Sequence, residues 1–311
     1  MSKTSVFQRA PLDVLCVGHA SYDLIFTVPH HPGPDDKILA DAFLACGGGP
    51  AANAAVTVAR LGYRAAFAGY LGSDLYGDRH LKELQEDGVG TDLVVRGANP
   101  TPVSVIIVKP DGKRSLVNYK GETQQLADAS LDFSTVCPRV ILFDGHEPLV
   151  STPLAAVARK EKIATVLDAG SLHPGTQALM NRVDYLVCSE KFAAQWLGRN
   201  EPEDALDRLA TLTPAVIITL GERGILWRVG EQRGSLSACP IRPVDTTGAG
   251  DAFHGAFAAG VAADLEWPAI LRLASAAGAL CCTKLGARSG IPFAPEVAEL
   301  LDKGCGRIAA T

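Results

Sequence analysis

Several kinds of signal are missing from this 311-residue chain, and each absence removes a class of function. No run of about 18 apolar residues occurs, and the opening MSKTSVFQRA lacks the apolar segment of a secretory leader, so a cytoplasmic protein without a membrane span is expected. Neither G-x-x-x-x-G-K-[ST] nor a G-x-G-x-x-G after the first strand is present, which argues against a lysine-bearing phosphate loop, against dinucleotide binding and so against an oxidoreductase. H-E-x-x-H is absent too, and the seven histidines have no ligand spacing; His19, His30 and His31 read as solvated or core residues. Eight cysteines (Cys16, Cys46, Cys137, Cys188, Cys239, Cys281, Cys282 and Cys305) include no C-x-x-C. They suggest neither a zinc site nor a disulfide framework, and most should behave as small core hydrophobes. Positive charge is also in short supply: 29 Lys and Arg against 34 Asp and Glu leave a net charge of −5. Nucleic acid or an anionic membrane would need a clustered cationic field, so neither partner is expected.

What is present is an alternation of strand-like and helix-like segments. LDVLCVG, RAAFAGYLG, RVILFDG, ATVLDAG, DYLVCS and AVIITLG carry short apolar runs, and the stretches between them carry apolar residues at helical spacing. Such a chain builds a parallel sheet covered on both faces, an α/β fold. No Pro-, Gly- or Ser-rich linker divides it, so one core with an insertion is expected. Two stretches break the rhythm: DKILADAFLA (36–45) reads as extended, and TPVSVIIVKPDGKRSLVNY as a hairpin around Pro110, Asp111 and Gly112. The resulting division is a core of 10–35, 46–99 and 121–311 and a small β-sheet lid of 36–45 and 100–120.

The chemistry concentrates at two glycine-rich corners. VDTTGAGDAF places Gly248, Ala249 and Gly250 between a strand-like IRPV and an apolar helix. Free N–H groups and the positive end of the helix dipole coincide there, and the small residues leave the amides uncovered, as an anion site requires. Asp251, in the first turn, is placed to take a proton from an attacking hydroxyl. The dipole should lower its pKa, but a loose phosphoryl-transfer transition state asks more for position than for basicity. Helix capping accounts for one aspartate or threonine, not for the Gly-Ala-Gly run. The second corner, CGGGPAANAA, sets Gly47, Gly48 and Gly49 before another helix, with Asn53 one turn on as a donor and acceptor for sugar hydroxyls. Asp23, just past the first strand, adds an acceptor, although alone it reads equally as a turn residue.

These two corners resemble the paired signatures of the PfkB (ribokinase-like) carbohydrate kinases, and the likeness runs from about Leu12 to Pro292. The resemblance implies a Rossmann-type three-layer core with a β-sheet lid that also serves as a dimer clasp, and an ATP-dependent kinase acting on a sugar hydroxyl. It assigns Asp251 as the base, Gly248, Ala249 and Gly250 as the anion hole, and Asp23, Gly48, Gly49 and Asn53 as sugar contacts. ITLGERG resembles the nucleotide loop, which puts Thr219, Gly221 and Gly224 beside ATP, together with Ser189, Thr247 and Ser275. CTKLGARSG resembles the segment closing over adenine, where backbone oxygens of Asp245, Thr247, Cys281, Lys284 and Gly286 would hold K+; a serine common in the family is Gly290 here. The family's N-x-x-E element, tied to Mg2+, falls on SEKF: Ser189 replaces Asn, Phe192 stands at the Glu position, and Glu190 is left to act through water.

In motif detail the chain looks closest to sulfofructose kinases and neighbouring ketose kinases. Lys37 and Asn118 match their lid lysine and asparagine, but His146 stands where a sulfonate-binding arginine would be. An imidazole is a poor replacement for a permanently charged guanidinium, which weighs against a sulfonated substrate. The expected activity is therefore phosphorylation of a ketose-like sugar by MgATP. The rivals are a nucleoside kinase of the same fold, disfavoured by a lid whose aromatics are only Phe43 and Tyr119, and a catalytically idle sugar- or nucleotide-binding protein.

Overall fold

In strand β1 (Ala10–Val17) successive side chains point to opposite faces: Val14 and Cys16 join one buried cluster, Leu15 and Val17 another. The same division recurs in β8 (Val136–Phe143), where Val140 and Leu142 oppose Ile141 and Phe143. A strand apolar on both faces must be covered on both, and here it is. The computed structural model describes residues 10–127 and 130–310. Helices α1 (Pro50–Arg60), α7 (Ala249–Ala262) and α8 (Trp267–Cys281) supply buried residues to the first cluster. The second is closed by α3 (Pro148–Glu161), α4 (Pro174–Leu179), α5 (Glu190–Leu197) and α6 (Pro202–Leu209). Phe67 and Phe257 on one side and Phe143 and Phe192 on the other are fully buried, each stabilising the fold by about 2–3 kcal/mol.

The other strands of this sheet are β4 (Ala65–Gly72), β5 (Val94–Gly97), β9 (Ala164–Ala169), β10 (Tyr185–Ser189), β11 (Ala215–Thr219), β12 (Ile225–Val229), β13 (Gln232–Leu236) and β14 (Ile308–Ala310). Their order is β14-β13-β12-β11-β10-β9-β8-β1-β4-β5. From β11 to β5 every pair is parallel, so all these strands present their C-terminal ends at one edge; β12 to β14 extend the sheet antiparallel. Among the described residues no helix is long and apolar enough to cross a membrane. Pairing of Leu236 with Ile308 also brings Cys239 and Cys305 together as a disulfide, with Cα atoms 4.9 Å apart. That corrects the expectation of no disulfide: the partners are 66 residues apart and only the pairing of β13 with β14 unites them.

A second sheet, ordered β3-β2-β6-β7, comprises β2 (Ser21–Thr27), β3 (Ala42–Gly48), β6 (Val103–Val108) and β7 (Arg114–Tyr119). The sequence pattern leaves 10–35 with the core and begins the extended segment at 36. Instead Ser21–Thr27 is the strand that joins the other two pieces, pairing antiparallel with β3 and parallel with β6. Residues 36–41 form no strand and are mostly exposed, Leu39 by 90%, since nothing there covers an apolar face. Where α1 and α7 cross, Gly255 lets the backbones touch: a Cβ on it would lie 2.5 Å from the Ala54 carbonyl oxygen.

Candidate active site

The N-terminus of α7 is capped by Gly248 in the left-handed region (φ 78°), where an added Cβ would lie 2.4 Å from the Ala287 Cβ. The loop before it is braced by the fully buried Asp245. Its Oδ1 accepts from the Thr247 amide (2.9 Å) and hydroxyl (2.6 Å), and its Oδ2 from the Gly286 amide (2.8 Å). The corner that carries the bare Gly-Ala-Gly amides is thus tied to the segment following α8. At the third residue of the helix, Asp251 accepts from Asn53 Nδ2 at 2.8 Å, so the two signature helices meet at this carboxylate. Burial raises the Asp251 pKa, against the lowering pull of the Asn53 N–H and the nearby His254 and Arg114. The lowering expected from the helix dipole does not prevail.

Across the small sheet, backbone register sets four residues in one row: Cys46, Asp23, Ser104 and Asn118. Asp23 is 4% exposed, takes hydrogen bonds from the hydroxyls of Ser21 (2.9 Å) and Ser104, and burial pushes its pKa up to about 6. A Cβ on Gly48 would sit 2.1 Å from its Oδ2, and one on Gly49 (φ 94°) 2.6 Å from the Ala20 Cα. The glycines are therefore demanded by close packing against β2 and the turn before it. Asn53 lies beneath the same loop, 2% exposed, with Oδ1 free of any hydrogen bond among the described residues. His146 stacks on His173 (centroids 4.8 Å) and meets His19 at 5.2 Å, a row of three imidazoles over the ends of β1, β8 and β9. Lys37 lies in the exposed stretch before β3.

The nucleotide-side candidates follow the ends of β10 and β11. Ser189 caps α5: its hydroxyl donates to the Gly170 carbonyl (2.8 Å) and accepts from the Phe192 amide (3.0 Å). Phe192 is fully buried in the core, out of reach of any nucleotide, and Glu190 is ion-paired with Arg223. Thr219 ends β11, and Gly221 and Gly224 (φ 61° and 88°) form the turn into β12, Gly224 so close that a Cβ would meet the Leu236 carbonyl oxygen at 2.0 Å. Ser275 is half-buried midway along α8. Gly290 also has no room for the family's serine, since a Cβ there would meet the Cys281 carbonyl oxygen at 2.1 Å.

Three residues that sequence patterns do not single out stand beside these candidates. Asp144, 3% exposed, accepts from the amides of His19 (2.7 Å), Ala51 (3.2 Å) and His146 (2.9 Å), pinning the glycine-rich corner to the ends of β1 and β8. Arg114 reaches from β7 to Thr246 Oγ1 (2.7 Å), beside the anion loop. Glu147 accepts from the Leu126 amide and is pushed up to about 7 by burial. The one available signal was the position of Asp144 and Glu147 just after a parallel strand, where α/β sheets bind ligands.

Comparison with known proteins agrees with this geometry. The model of the family described as pfkB family carbohydrate kinase matches residues 11–294. A ribokinase of Bacillus subtilis (strain 168) is 30% identical over 294 residues, covering 93% of this chain and 99% of that protein. A fructokinase of Oryza sativa subsp. japonica is 28% identical, covering 85% and 90%. Among solved structures, an Arabidopsis thaliana ribokinase complexed with ribose and ATP superposes with TM-score 0.81 at 27% identity, covering 94% of this chain and 99% of that one. The Thermotoga maritima ribokinase gives TM-score 0.81 at 26% identity, with the same coverage.

Proposed function

The chain belongs to the pfkB family of carbohydrate kinases, and on that premise we propose how its own residues transfer a phosphoryl group from ATP to a hydroxyl of a ketose-like sugar. The observation that carries the reading is the meeting of the two signature helices: the bare Gly248, Ala249 and Gly250 amides stand beside Asp251, which Asn53 holds from α1. The amides offer uncovered donors where negative charge spreads in the transition state. Asp251, its affinity for a proton raised by burial, accepts the hydroxyl proton as the oxygen attacks. Asp23, Gly48, Gly49, Asn53 and Asn118 hold the sugar, with His146 at its far end, and the small sheet closes over it to exclude water.

ATP would lie along the ends of β10 and β11, against Ser189, Thr219, Gly221, Gly224, Thr247 and Ser275. Among the described residues no three His, Cys, Asp or Glu side chains are placed to hold a metal ion. In this reading Mg2+ would be held chiefly by the phosphates, with Glu190 acting through water once released from Arg223, and would neutralise phosphate charge there. The fully buried Asp245 carboxylate is met by the uncharged Thr247 amide and hydroxyl and the Gly286 amide, which fits a K+ held nearby by backbone oxygens of Asp245, Thr247, Cys281, Lys284 and Gly286. The exposed Phe43, Leu116, Val117 and Tyr119 support a homodimer through the small sheet. We place the enzyme in the cytoplasm, where ATP is supplied. A coupled ADP-release screen over ketoses, aldoses, sugar acids and nucleosides tests the reading: sugar-dependent ADP release is expected, and release with nucleosides alone would overturn it.

A further inference from the structure

Within one turn of the anion loop lies a polar group that the reaction as described does not use. His254 is 3% exposed, and a Cβ on Gly250 would lie 4.0 Å from its ring. Its Nδ1 is 2.5 Å from the Gly250 carbonyl oxygen and 3.3 Å from Asp168 Oδ2, and its Nε2 is 3.0 Å from the Val187 carbonyl oxygen. Every polar neighbour of the ring is thus a hydrogen-bond acceptor. A neutral imidazole has one N–H and one lone pair, so either tautomer would aim a lone pair at a carbonyl oxygen with no water to intervene. Only a ring protonated on both nitrogens satisfies all three contacts. Its counter-charge is present: Asp168 is 5% exposed and, among the described residues, forms no ion pair with Lys or Arg.

We propose that His254 is a buried imidazolium paired with Asp168, a positioning residue whose charge backs the Gly248–Gly250 anion loop and favours the ionised form of Asp251. The proposal rests on the kinase reading for its consequence but not for the charge itself. The cation draws the Gly250 carbonyl inward, and its field attracts a phosphoryl group bound at the loop from the protein side, where no solvent screens it. It also opposes the burial that raises the affinity of Asp251 for a proton. The other groups acting here are Asp144 from the end of β8, Asp23 from β2, Arg114 from β7, Cys281 from α8 and the uncharged Asn53 from α1. Burial pushes Asp168 up to about 7, with His254 the group that pulls most strongly the other way.

The charge is read directly by long-range 15N–1H correlation on the uniformly 15N-labelled full chain. Two protonated ring nitrogens are expected for His254 at pH 7, assigned by their loss in His254→Asn; one lone-pair nitrogen at that pH overturns the proposal. The consequence is read kinetically. In His254→Asn and His254→Gln, which keep a donor but no charge, kcat should fall about tenfold with both KM values nearly unchanged. The acid limb of the kcat profile should move up by about one pH unit as Asp251 loses the cation. An unmoved limb in a folded variant overturns the proposal, which a purely structural histidine would produce. If neither variant folds, the wild-type spectrum decides, the ring being assigned through its own α7 backbone resonances. Sugar-dependent ADP release by the wild type is the separate control: its absence with an imidazolium present would sink the kinase reading and leave the charge assignment standing.

Discussion

The ten-stranded sheet is covered by helices on both faces, whereas the four-stranded sheet gathers only Ile25, Cys46, Ile106 and Val108 into a buried cluster and leaves all six residues of β7 exposed. In β6 burial alternates strictly, as in a sheet wet on one side. The large sheet carries the anion loop and Asp251, and the small one carries Asp23 and Asn118. Displacing the small sheet disturbs little apolar packing, whereas displacing α7 would disrupt its packing against α1, α8 and the strands beneath. On the proposed mechanism, the difference teaches that the groups making and breaking bonds sit on the stiffer body, while Asp23 and Asn118, which would read the sugar, sit on the more compliant one.

The largest effect should come from the stiff side. Asp251→Asn keeps ATP binding but lowers turnover by at least about a hundredfold, the scale of a lost general base; isothermal titration with ATP beside a coupled assay checks both, and near-normal turnover would remove Asp251 from the mechanism. Gly248→Ala forces a Cβ against Ala287 at a positive φ, so it should cost about 1–3 kcal/mol of stability and about tenfold in turnover. Gly62→Ala has a positive φ but open space, and should leave turnover intact; equal losses in the two would mean that crowding at the loop is immaterial.

On the compliant side the effects should appear in sugar KM. On the proposed mechanism Asp23 binds a hydroxyl as a carboxylate, and burial pushes its pKa up to about 6, so it takes up a proton and weakens as an acceptor when pH falls through 6. Sugar KM should rise below that pH in the wild type, and Asp23→Asn should give about a tenfold higher KM that no longer depends on pH there. A parallel pH dependence in the variant would assign the effect elsewhere. Smallest of all, Arg114→Ala removes an exposed contact between the two bodies and should lower kcat/KM about two- to fivefold without changing the melting temperature. A loss as large as that of Asp251→Asn would put the small sheet into the chemical step and break the comparison.

What could be read from the sequence follows the range of the interactions. Helix α7 and its loop were legible because the glycines, the cap and the apolar run lie within about fifteen residues, and the parallel core because its strands are short apolar runs separated by helices. Strand β2 was not, since its partner β6 lies some eighty residues on and its own pattern fits either sheet. The disulfide, the clamp made by Asp144 and the reach of Arg114 to Thr246 are likewise products of tertiary folding. Lys37 rests on the motif match alone: residues 36–41 have no apolar pattern to fix them in a strand, and they lie exposed. Phe192 was legible as a departure from the family element but not as the core residue it is.

The contact of Gly255 with the Ala54 carbonyl oxygen acts like the rivet of a caliper. One jaw ends in the glycines beside the acceptor, the other in the amides awaiting the donor, and a rivet that admits no side chain keeps the gap between them constant. On the proposed mechanism, the residues that read the sugar can therefore be exchanged without recalibrating the distance over which the phosphorus must travel.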